Sequence, residues 1–155
     1  MKTLLLAVSL LFATLTLRAQ SAANPVSATP YKRANAVLVI TSDSASVALK
    51  KLGAILVAKG YNIKKLDTDF NTITTEPKAV MGTQWYTVIA IRGAATPTGI
   101  SLSAEVTTEI RAISPGSEHT VTRVFSNGKK PTGYFRWLME IAASYPGATV
   151  HYTQD

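Results

Sequence analysis

Two hydrophobic rhythms organise the chain. The steadier has a period of two: Ile100, Leu102, Ala104, Val106, Thr108 and Ile110 alternate with Ser101, Ser103, Glu105, Thr107, Glu109 and Arg111. A strand with one face in a core and the other in water carries this pattern. A spacing of three and four occurs twice. Ala45, Ala48, Leu49, Leu52, Ile55 and Leu56 form one stripe, which leaves Lys50 and Lys51 outside it. Tyr134, Trp137, Leu138, Ile141, Ala142 and Tyr145 form the other. These stripes predict helices over about 44–59 and 132–145. Ser42-Asp43-Ser44 offers the first helix an N-cap oxygen and a first-turn acid, and Gly60 is placed to end it in the left-handed conformation. Pro146-Gly147 stops the second helix.

The remaining segments read as strands and turns. Ala36 to Thr41 is a continuous apolar run. Tyr61–Leu66 and Phe70–Thr75 form a hairpin around an Asp67–Asp69 turn, closed by Glu76-Pro77-Lys78. Gln84 to Arg92 is strongly β-prone, Gly93 to Gly99 reads as loop, His119 to Phe125 as a strand and Ala148 to Thr153 as a short last strand. Strand, helix, four or five strands on short connections, helix, strand is an α+β order. It predicts an antiparallel curled sheet of about five to seven strands with two helices packed on one face. The other face, of Ser, Thr, Glu and Arg, meets water.

The N-terminus carries an address. Met1-Lys2 precedes an almost unbroken apolar run from Leu4 to Leu17, followed by small residues at Ala19 and at Ser21-Ala22-Ala23. This is the layout of a signal peptide, cleaved after Ala19 or Ala23. The run of 14 residues is short of the roughly 20 a spanning helix needs. No later segment reaches membrane length, so no transmembrane segment is expected after cleavage. Residues 20–35, polar with Pro25 and Pro30, read as a flexible lead-in, and 36–155 as a single domain. A periplasmic or secreted location follows.

Composition narrows the function classes. With 46% apolar residues in 155, the chain has enough hydrophobic material for a packed core. The absence of Cys excludes disulfides, thiolate zinc sites, cysteine nucleophiles and lipid attachment through Cys. The balance of 16 Lys/Arg against 9 Asp/Glu includes Lys2 and Arg18, which leave with the leader. Lys32-Arg33, Lys50-Lys51, Lys64-Lys65 and Lys129-Lys130 are scattered pairs, not a basic stripe with interleaved aromatics, so nucleic acid is not an expected partner. A mild attraction to anionic headgroups or acidic glycans is the more modest implication.

Reactive constellations are sparse. His119 and His151, even with Glu118 and Asp155, are few ligands for zinc. Asp67-x-Asp69-x-Asn71 matches the first half of a calcium loop, but Thr72 stands where the turn glycine belongs and Lys78 where the bidentate glutamate belongs. An Asp/Asn turn bonded to its own backbone explains the pattern. There is no Gly-x-Ser-x-Gly elbow and no phosphate-cradling glycine loop. Glu105 and Glu109 share a strand face but lie roughly 13 Å apart, too far for a glycosidase pair. No catalytic residue, metal or cofactor is therefore predicted. Arg92 and Arg123 fall near the sheet edge or polar face, solvated. Among the aromatics, Trp85 and Tyr86 point to opposite faces of their strand, and Tyr134, Phe135 and Trp137 crowd the start of the last helix. Core filling explains most of them; Trp85, Tyr86, Tyr134 and Trp137 are the candidates to line a groove between helix and sheet.

From Ser46 to Thr75 the chain has an amphipathic helix, Lys59-Gly60-Tyr61-x-Ile63, an acidic turn at Asp67, and Thr72-Ile73-Thr74-Thr75. This order resembles small periplasmic helix-grip domains, such as the two in the outer-membrane assembly lipoprotein BamC. The lipid-bearing Cys of that lipoprotein has no counterpart here, so the resemblance implies a fold and not membership of its machine. The expected function is that of an exported non-enzymatic interaction module of the bacterial cell envelope, binding a protein or envelope component. The alternative is a small apolar-ligand-binding protein with its groove between the C-terminal helix and the sheet.

Overall fold

The structure is a computed structural model that describes residues 26–80, 86–109, 119–126, 128 and 133–154. The segment expected to be a signal peptide, with both expected cleavage sites, and Trp85 lie outside the described residues. The elements are β1 (Ala36–Ile40), α1 (Ala45–Ala58), β2 (Ile63–Asp67), β3 (Thr72–Thr75), β4 (Lys78–Ala79), β5 (Tyr86–Thr96), β6 (Gly99–Glu109), β7 (His119–Arg123), α2 (Tyr134–Ala143) and β8 (Thr149–Thr153). All eight strands join one antiparallel sheet in the order β2-β3-β5-β6-β1-β8, with β4 beside β5 and β7 beside β6.

Alternation decides which side of this sheet is dry. Ile89 and Ile91 of β5, Ile100, Leu102, Ala104 and Val106 of β6, Val37 and Val39 of β1 and Ile73 of β3 are buried. They meet Leu49, Leu52 and Leu56 of α1 and Phe135, Leu138 and Ile141 of α2 in one core. The fold is α+β, with both helices on one face. Eight strands stand where about five to seven are expected, and six lie between the helices in place of four or five. The excess is β4, only two residues long. It continues β3 along β5 after one extra residue, since Thr74 faces Arg92 while Lys78 faces Ile89. Pro77 has no N–H to give the ladder, and the Ile91 N–H is satisfied by the buried Thr75 hydroxyl at 2.9 Å.

The expected loop at 93–99 is a second difference. β5 runs through Gly93 to Thr96. The glycine is there because α1 lies against it: a Cβ at Gly93 would stand 2.6 Å from Leu52 Cδ2 and 2.9 Å from Ile73 Cγ2. The turn to β6 is only Pro97-Thr98.

Helix α1 ends as its sequence predicts. Gly60 has φ +77°, its N–H reaches the Val57 carbonyl at 2.9 Å and the Tyr61 N–H reaches that of Leu56 at 2.9 Å, which is the Schellman arrangement. Its start differs. Ser44 makes no side-chain cap, and Asp43 turns to Lys51 and Tyr145. The Asp67 turn bonds its own backbone, accepting from the N–H of Asp69 and of Phe70 at 3.1 and 3.0 Å. Within the segment read as a lead-in, the Ser27 N–H donates to the Tyr152 carbonyl at 3.0 Å and the Tyr152 N–H returns a bond at 2.8 Å. Arg33 and Ala34 are likewise bonded through their backbones to Ser126.

Candidate functional site

The face left uncovered by the helices is built by register. Lys65 pairs with Thr74, Thr74 with Arg92 and Arg92 with Ser103, which lines up these four side chains across β2, β3, β5 and β6. One row to one side runs Thr72, Ala94 and Ser101; one row to the other runs Ala90, Glu105 and Arg123. Together they line a trough of about 640 Å³, with buried Asn35 at its β1 end. Small side chains surround the centre. Ala90 and Ala94 flank Arg92 along β5, and hydroxyls of Thr74 and Ser103 stand on either side. Arg92 is exposed, and among the described residues no carboxylate forms an ion pair with it within 4.0 Å. Lys65, by contrast, is held by Asp67 at 2.6 Å. The Lys65 ammonium keeps the Asp67 carboxyl below its ordinary pKa, helped by the Phe70 N–H.

A second depression, of about 330 Å³, lies where α2, the end of α1 and β4 converge. Tyr61, Trp137, Ile89 and Ile141 are apolar walls, while Lys59, Lys78 and Glu140 contribute charge. The Lys78 ammonium donates to the Lys59 carbonyl at 2.9 Å and sits 4.6 Å from the Tyr61 ring centroid. It thus satisfies a backbone carbonyl at the α1 terminus and makes a cation–π contact. Burial, then the nearby Glu140 carboxylate, push the Tyr61 hydroxyl pKa upward.

Of the four candidate aromatics, Trp137 lines this groove. Tyr134 meets it edge-on with centroids 5.6 Å apart, and both are half-buried against the core. Tyr86 opens β5 opposite Glu109; its side chain, like the whole of Trp85, lies outside the described residues. Helical spacing alone located Trp137. Tyr61, its partner across the groove, reads as an ordinary strand residue, and the signal available for it was its place directly after the helix-ending glycine. Arg92 and Arg123 are on the polar face as expected, but their common trough is not visible from alternation.

Among the described residues, three or more His, Asp or Glu side chains do not gather in a metal-like group. His151 is half-buried on β8 opposite Leu38. The polar groups on the open face of the trough are guanidinium, ammonium, carboxylate and hydroxyl, which can form hydrogen bonds and ion pairs. No helix among the described residues is long and apolar enough to cross a membrane. No protein family matches the chain, and no curated protein matches it significantly in sequence.

Proposed function

We propose that the protein is an exported, non-enzymatic interaction module of the bacterial cell envelope, which holds a protein or envelope component against the uncovered face of its sheet. The trough carries this reading: about 640 Å³ of open space lined by Arg92, Arg123, Lys65 and rows of Ser and Thr. Small-molecule pockets are concave and mostly apolar with a few polar groups, whereas this trough sets charged and hydroxyl side chains among small apolar ones on an open sheet face, which suits an extended, hydrogen-bonding partner. The apolar run from Leu4 to Leu17 supports export. A photo-crosslinker in place of Ala94, on the trough floor, should capture an envelope component in living cells. The same group at exposed Val57 of α1 should not. Absence of any adduct from position 94, or cytoplasmic fractionation of the protein, would refute the proposal.

A second reading, a site for a small apolar ligand, is favoured by the Tyr61 and Trp137 walls of the groove beside α2. The lysines and glutamate at that groove, and the filled core beneath α2, make it the weaker of the two.

A further inference from the structure

We infer that the trough recognises an acidic polysaccharide, a hydroxyl-rich chain bearing spaced carboxylates, with Arg92 as the central anion contact. The inference rests on the reading of the trough as the working surface. Lys65 and Arg92 share a row and are separated by two strand spacings, about 10 Å; Arg123 lies two strands beyond Arg92 on the far side, one row along. The cations are therefore spaced across the face and not bunched, which suits a polymer with intermittent charges. Lys64, Lys65, Arg92 and Arg123 are opposed by Asp67 and Glu105, so the excess is modest. A polyphosphate or nucleic acid, charged at every step, would call for a denser basic surface.

The ground between the cations identifies the rest of the ligand. Thr72, Thr74, Ser101 and Ser103 each bring a hydroxyl that can both donate and accept, and Ala90 and Ala94 leave room for a chain to lie close to the sheet. A polyol can use that array along its length. An acidic peptide fits less well. A peptide gains its main-chain hydrogen bonds at a sheet edge, not on a face. The β8 edge is already bonded to Ser27. A lipid surface would need a broad apolar patch, whereas the outward side chains between the cations are mainly Ala, Ser and Thr, with exposed Val121 one row beyond. Arg92, with no ion-pair partner among the described residues, can engage a carboxylate with two parallel N–H···O bonds.

The test is a binding titration of the purified protein with polygalacturonate. Its controls are the fully methyl-esterified polymer, poly-glutamate and anionic phosphatidylglycerol vesicles. Polygalacturonate should bind, more weakly as salt rises, and esterification should abolish binding. Arg92→Gln should weaken it by about tenfold, as expected for one group making charge-assisted hydrogen bonds. Arg136→Gln, an exposed arginine on α2, should leave it unchanged. Equal binding of poly-glutamate or of the vesicles, or an Arg92→Gln variant that binds like the parent, overturns the inference. If a crosslinker at position 94 captures a protein while polygalacturonate is not bound, the inference alone fails. If position 94 captures nothing, the interaction surface itself has been misplaced.

Discussion

At the residue scale, the most consequential contact joins two ends of the layer above the sheet. The Tyr145 hydroxyl, just past α2, donates to the Asp43 carboxylate before α1 at 2.7 Å, and Asp43 also accepts from Lys51 at 2.7 and 2.9 Å. The Lys51 hydrogen bond, then that of Tyr145, holds the Asp43 carboxyl below its ordinary pKa. Burial of the phenol, then its bond to Asp43, pushes Tyr145 up to about 12. The two shifts act at opposite ends of the pH scale. A lowered carboxyl stabilises the fold above its unfolded pKa and loses that contribution as acid carries the pH down through its folded value. A raised phenol contributes fully below about 10 and loses its contribution as pH climbs towards 12. Absorbance titration at the tyrosinate band should show one phenol ionising near pH 12, missing in Tyr145→Phe, together with a melting temperature a few degrees lower. Tyr145 ionising alongside ordinary tyrosines would contradict the link.

At the element scale, the seating of α1 depends on a missing side chain. Gly93→Val should cost about 1–3 kcal/mol through overpacking, because Leu52 and Ile73, both 1% exposed, occupy the space it would enter. Urea denaturation measures this, and an unchanged midpoint would show that α1 can lift without loss. The same glycine explains what the sequence discloses and what it conceals. Leu52 lies on a stripe that one helix defines by itself, and Leu102 on an alternation that one strand defines by itself, so both helices and the long strand are legible locally. Gly93, followed by Pro97 and Gly99, has the local look of a loop; only the helix arriving from elsewhere in the chain reveals it as strand. β4 is hidden for a related reason, since two residues carry no period and Pro77 argues against a ladder. The candidate site divides the same way. Trp137 is legible because it shares the α2 stripe. Arg92 can be assigned to a face by counting, but its neighbours Thr74 and Ser103 are set by two separate pairings, which no local pattern encodes.

At the scale of the whole molecule, the strands that end the main order of the sheet, β2 and β8, are treated differently. β2 carries Lys64 and Lys65 at its border, a charge device that discourages edge pairing. β8 is instead capped by backbone bonds from Ser27. A variant lacking residues 1–34 removes that cap and the Arg33 bond to Ser126, whereas one lacking residues 1–25 keeps both. The shorter chain should melt several degrees lower and show concentration-dependent self-association by light scattering, while the longer stays monodisperse. Identical behaviour of the two would mean that the preceding segment gives the border no protection.

In β5 and β6, consecutive letters serve different masters. Ile89, Ile91, Leu102 and Ala104 hold the helices in place, while Ala90, Arg92, Ser101 and Ser103 look out on the other side. The outward face can thus be rewritten at every second position while the stuffing stays untouched, so descendants of this scaffold are free to change their exterior without learning to fold again.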